Sequence, residues 1–153
     1  MRRKDKEITD RTEIESIILR SSVCRLALAD QNQPYIVPLS FGYRDNKLYF
    51  HSALSGKKLE IIKKNNRVCF EFDIDCEAIT SDKACKWGMK YKSVIGFGTA
   101  SFIENFDSKC RALDIIMRQY SDGSFEYPEN KVKDTVVIQV EIEHMTGKQS
   151  GQG

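Results

Sequence analysis

Histidine is nearly absent from this 153-residue chain, which has two, at positions 51 and 144. So few imidazoles argue against a histidine-based metal site. There is no zincin-type spacing of histidine and glutamate, and no G-x-S-x-G nucleophile elbow. The five cysteines, at 24, 69, 76, 85 and 110, are odd in number, and no two are spaced C-x-x-C. That pattern speaks against a disulfide framework or a zinc site and fits a reducing cytoplasm. Charge of one sign is also missing: 24 basic residues against 22 acidic ones leave a net charge of +2. No global field therefore points to nucleic acid or to an anionic membrane. No uninterrupted apolar run approaches the ~18 residues that a membrane-spanning helix needs. The opening MRRKDKEITD is charged and no apolar h-region follows it, so it does not read as a secretory signal.

What is present is an ordinary globular balance, 41% apolar and 30% charged, in a length that suits one domain with its own core. Asp10 and Glu13 stand at capping-box spacing ahead of Ile14, Ile17 and Ile18, which predicts a helix over 11–21. VCRLALA, YIVPLSFGY and KLYFH then read as three short strands joined by the polar turns DQNQP and RDN. Pro38 within the second marks a sheet edge or a bulge. A short helix over 57–66 follows, with Leu59 and Ile62 on one face. RVCFEFDID alternates as a half-buried strand should, and YKSVIGFGTASFIE is a long strand with two glycines. Leu113, Ile116, Met117 and Tyr120 have helical spacing, with Asp107 or Ser108 as the cap. YPEN breaks the chain, TVVIQVEIEHM closes it as a strand, and residues 146–153 read as a polar tail. The expected class is mainly β: about six antiparallel strands in a small closed or split barrel, with three inserted helices that plug or flank it.

Three stretches carry candidate chemistry. GFGTAS at 96–101 lacks the third glycine of a dinucleotide fingerprint and sits inside a strand, so it marks a bend or a close backbone approach. SGKK at 55–58 is not a phosphate loop either: the required first glycine is His51, and Lys58 replaces Ser or Thr. Yet helix N-termini attract anions, and Lys57 and Lys58 are cations at the wrong end of a helix dipole. An anion there would remove the conflict; a solvated surface pair is the bland alternative. His51, at a strand end before this loop, is either an exposed residue or a proton donor, since imidazole changes charge near neutral pH. CKWGMKYKSV at 85–94 holds the only tryptophan, and reads as a loop over a ligand, part of a dimer seam or a satellite cluster.

Four segments in order, MRRKDKEI, FHSALSGKKLEIIKKNNRVCFEFD, CKWGMKYKSVIGFGTA and VVIQVEIEHMTGKQS, resemble the pyridoxamine 5′-phosphate oxidase-like flavoproteins. Among these the chain is most similar to the 5-nitroimidazole reductase (Nim) resistance proteins. The resemblance implies an FMN-binding split barrel that forms a homodimer, with a flavin (FMN, or FAD) at each of two sites along the seam. It implies that His51, Ser52 and Ala53 lie near the flavin ring and ribityl chain, and that Lys57 and Lys58 meet the phosphate. Backbone groups of Val37, Pro38 and Leu39 would line the ring. The stretch from Trp87 through Ser93 to Val94 would reach the site from the same or the partner subunit. The implied activity is reduction of small electron-poor acceptors, with NAD(P)H or a reduced carrier as donor. A lysine pair replaces the Arg-Lys pair of the oxidases proper, and their C-terminal basic residues are missing, which speaks against vitamin B6 oxidation. A non-catalytic flavin module, a haem-binding relative using His51 or His144, and a nucleic-acid-binding barrel using KKLEIIKKNNR remain as alternatives, the last disfavoured by the charge balance.

Overall fold

The computed structural model describes residues 1–151. Eight strands and four helices alternate along it. They are β1 (Glu7–Ile8), α1 (Arg11–Arg20), β2 (Cys24–Asp30), β3 (Gln33–Leu39), β4 (Gly42–Arg44), β5 (Lys47–Ser52), α2 (Lys57–Lys64), β6 (Arg67–Ile79), β7 (Gly88–Ile103), α3 (Phe106–Tyr120), α4 (Glu129–Lys133) and β8 (Val136–Ser150). All pairings are antiparallel, in the order β3-β2-β6-β7-β8-β5-β4, with β1 added beside β8. The two ends of this order are not hydrogen-bonded to each other, so the barrel is split. No helix is long and apolar enough to cross a membrane.

The expected mainly-β split barrel is present, with corrections to its parts. The strand read over YIVPLSFGY is two strands, β3 and β4, separated by Ser40 and Phe41. Phe41 is fully buried, and its backbone N–H donates to the Tyr120 hydroxyl instead of to a ladder. Pro38 sits in regular register on β3, an edge strand, where its missing N–H costs no ladder bond. Residues 146–150 are strand rather than tail: Gly147 pairs with both Ile8 and Val94, while 152 and 153 lie outside the described residues. α3 is capped by Asn105, whose side chain accepts from the Ser108 N–H, not by Asp107 or Ser108. The break at YPEN leads directly into α4. The first helix is capped as expected, Asp10 accepting from the Thr12 N–H.

The core is built from the inward face of the strands: Leu26, Leu48, Phe50, Phe70, Phe72, Val94, Ile138 and Val140, closed by Ile17, Ile18, Leu59 and Ile62 of α1 and α2. Phe41 and Phe72 pack with centroids 4.9 Å apart, and Phe70 meets Phe72 edge-on at 5.9 Å. Each such buried side chain contributes about 1.5–3 kcal/mol relative to exposure. The two strand glycines have the role their pattern suggested. A β-carbon on Gly96 would run into the Phe70 ring, and one on Gly98 would strike the Glu141 carbonyl. Between them β8 bulges, Glu143 being left over between the Phe97–His144 and Gly98–Ile142 pairs. A second bulge, at Asp75 and Cys76, interrupts the β6–β7 register between Ile74 and Glu77. Beyond it the β6–β7 hairpin runs on as an exposed arm.

Candidate active site

The site is assembled from one end of β5, the loop after it and the first turn of α2. His51 and Ser52 close β5 opposite Val137 and Val136. Strand alternation turns their side chains opposite ways: His51 is exposed, Ser52 is buried. The Ser52 hydroxyl has no hydrogen-bond partner among the described residues. A buried hydroxyl without a partner costs about 1–3 kcal/mol. Ala53, Leu54 and Ser55 are exposed, and Gly56 leads into α2 with φ +154° and ψ 166°, a conformation essentially reserved for glycine.

That glycine leaves α2 without a side-chain cap. Its first turn therefore presents unpaired N–H groups and the positive end of the dipole. Lys57 is exposed and Lys58 half-buried, and among the described residues neither pairs with a carboxylate. Instead, the Lys57 ammonium stands 4.8 Å from the centroid of the Tyr35 ring on β3. In the turn between β3 and β4, Ser40 Oγ is 3.5 Å from His51 Nε2 at the end of β5. Thus β3, an edge strand, reaches the start of α2 at Tyr35, and the turn that follows it reaches His51 at Ser40. Neither Tyr35 nor Ser40 was singled out from sequence. Only the Tyr35 contact depends on the folded barrel; Ser40 faces His51 because the β4–β5 register, Gly42 opposite Tyr49, carries on two residues further.

The remaining predicted residues divide by face. Val37 and Leu39 turn their side chains toward the core while Pro38 is exposed, so this edge offers a ligand backbone more than side chains. Val94 is fully buried behind Phe72, leaving only its backbone for any ligand. Ser93 is half-buried opposite Asp73. Trp87 lies on the exposed arm, where its indole N–H donates to the Ser81 carbonyl at 2.6 Å. Among the described residues no side-chain hydrogen bond or ring contact joins these last three to His51 or the lysines. A cavity of about 650 Å³ opens beneath α3, lined by Tyr49, Cys110, Arg111 and Tyr127, and none of the predicted residues forms its walls.

The outer face of the sheet carries an apolar row. Ile36, Ala27, Cys69 and Phe97 are successive cross-strand partners on β3, β2, β6 and β7. Ile36 is 61% exposed, Phe97 48% and Ile95, in the next row, 45%. That next row places Arg25 beside Glu71, with Asp73 two residues on; Arg25 bonds them at 3.3 and 2.8 Å. Burial and the neighbouring Asp73 push the Glu71 carboxyl up to about 7, against the pull of Arg25.

The comparisons agree with this architecture. The family model described as pyridoxamine 5′-phosphate oxidase matches residues 10–149. A solved structure of a candidate 5-nitroimidazole antibiotic resistance protein from Bacteroides thetaiotaomicron is 38% identical, covering 94% of this chain and 86% of that one with a TM-score of 0.85. An FAD- and haem-binding protein from Mycobacterium smegmatis shares the fold at 18% identity, with a TM-score of 0.86 over 95% of this chain and 74% of that one. An uncharacterised protein from Rhizobium meliloti is 30% identical over 64 residues, a stretch that spans 42% of either chain. With a family model matched over most of its length and the split barrel in place, the chain belongs to the pyridoxamine 5′-phosphate oxidase family.

Proposed function

We propose that this protein is a flavin-dependent oxidoreductase that binds FMN at the β5–α2 loop and reduces small electron-poor acceptors such as 5-nitroimidazoles. The observation that carries the reading is the uncapped first turn of α2 with its two carboxylate-free lysines, preceded by the orphaned Ser52 hydroxyl at the end of β5. These residues fit a phosphate ester and its polyol: an anion is favoured by the dipole and both cations, and a hydroxyl or phosphate oxygen would partner Ser52. FAD presents the same chemistry at its first phosphate. The likeness to a nitroimidazole-resistance protein supports the substrate class.

FMN, when bound, supplies the electron transfer, and the donor in turn is NAD(P)H or a reduced carrier. The chain supplies position and protons. Lys57, Lys58 and the α2 N–H groups hold the phosphate. The edge of β3 around Val37–Leu39 lies alongside, since Ser40 and Tyr35 tie it to the same loop. His51, exposed and in reach of Ser40 Oγ, can donate a proton to an oxygen of the acceptor. Its tautomer is set by whether it donates to or accepts from Ser40.

Within a single chain Ser93 and Trp87 stand apart from the loop, and the apolar row through Ile36 and Phe97 faces outward. A homodimer formed through that face would cover the row and bring the arm of one subunit toward the loop of the other. Anaerobic reduction of a 5-nitroimidazole by the FMN-loaded protein with an NAD(P)H-fed reductant tests the activity. Flavin binding without turnover of any nitro compound would reduce the function to a flavin-binding module.

A further inference from the structure

We propose that Tyr35 is a positioning residue for Lys57: its ring holds the ammonium at the mouth of α2, so that the chain selects a phosphorylated flavin over the unphosphorylated one. The inference rests on the phosphate-site reading above. Tyr35 is 22 positions before Lys57 and lies on the opposite edge strand, so nothing local requires the contact. The ring is fixed from behind: it is half-buried against the core, and its residue pairs with the buried Leu28 on β2. Lys57 itself is exposed and belongs to the first turn of α2, where its charge opposes the dipole. A lysine so placed would ordinarily sample many rotamers in water. The face of an anchored aromatic ring, 4.8 Å from the ammonium to its centroid, removes that freedom by cation–π attraction. An arriving phosphate then meets a cation already ordered beside the free N–H groups. Riboflavin has no group for Lys57 to meet, so the effect is confined to phosphorylated ligands.

The test compares FMN and riboflavin, each titrated into the purified full-length protein by quenching of flavin fluorescence. Tyr35→Leu should weaken FMN binding roughly two- to fivefold, the range of an exposed cation–π contact converted to affinity, and leave riboflavin affinity unchanged. Tyr35→Phe keeps the ring face and should restore FMN affinity. In a Lys57→Met background Tyr35→Leu should have no further effect on FMN, because the ring acts only through the ammonium. Equal losses for both flavins, or a full Tyr35→Leu effect without Lys57, would make Tyr35 a general wall and overturn the proposal. Tighter FMN binding by Tyr35→Leu would mean that the ring stores the cation away from the ligand, and would overturn it too. Wild-type protein that binds neither flavin would overturn the phosphate-site reading and this proposal with it. Wild-type preference for FMN that Tyr35→Leu leaves undiminished would overturn this proposal alone.

Discussion

His51 Nε2 lies 3.5 Å from Ser40 Oγ, two residues beyond the Gly42–Tyr49 pair of the β4–β5 hairpin, so the turn before β4 meets the end of β5. The contact leaves the imidazole exposed and oriented, the state a proton donor needs. His51→Ala should therefore bind FMN as the parent does and lose nitro reduction by about 10²-fold or more. Single-turnover reduction of a 5-nitroimidazole by the reduced protein measures this. Turnover at the parental rate would leave His51 as a wall of the site.

The lysine pair is tested by removing it. Lys57→Ala with Lys58→Ala should weaken FMN binding by about 2–4 kcal/mol, if each cation makes a charge-assisted bond. Raising ionic strength should weaken wild-type binding more than that of the double variant. Isothermal titration at two salt concentrations gives both numbers, and an unchanged affinity would move the phosphate elsewhere.

The outer apolar row predicts self-association. Phe97→Asp and Ile36→Asp lie on exposed positions of that face and should leave the fold intact while converting a dimer to monomers. Light scattering on eluting protein distinguishes the two masses. A wild-type monomer at micromolar concentration would remove the seam, and with it the contribution of Trp87 and Ser93 from a partner.

Most of the strands were legible because β6, β7 and β8 alternate clearly and are long. The errors fall where polar sequence is held by tertiary contacts. Residues 146–150 look like a tail, yet β8 continues because β1 and β7 flank it on both sides. YIVPLSFGY looks continuous, yet the chain must cross from one sheet edge to the other at Ser40 and Phe41. The candidate site is proposed from Lys57 and Lys58, where a conflict between charge and helix dipole is readable in the sequence. Tyr35 is invisible because α2 meets β3 only in the folded barrel, whereas Ser40 stands opposite His51 in the continued register of the β4–β5 hairpin.

Glu71 predicts a pH dependence. Its carboxyl is raised to about 7 in the folded protein, so the folded state holds a proton that the unfolded chain has already released. Stability from this group is full below its ordinary range near 4.5 and is lost as the pH rises through about 7. Glu71→Gln should flatten the stability curve between those values and gain on wild type at pH 8. Urea unfolding at pH 5 and pH 8 measures the difference, and parallel losses in both proteins would assign the slope to other groups.

Gly42 sits against α3 with no room for a side chain: a β-carbon there would stand 2.7 Å from the Ile115 carbonyl carbon and the Ile116 nitrogen. Gly42→Ala must push α3 off β4, at about 1–3 kcal/mol. Thermal unfolding should show a lower midpoint, by roughly 2–4 °C per kcal/mol. An unshifted midpoint would mean that α3 rides loosely on the sheet.

The most direct measurement is the absorbance spectrum of the purified protein before and after addition of FMN and gel filtration. The phosphate-site account predicts a yellow protein that retains FMN through the column, releases it on denaturation, and fails to retain it once both Lys57 and Lys58 are alanine. A colourless protein that takes up no FMN, or one whose retention is indifferent to both lysines, would contradict it.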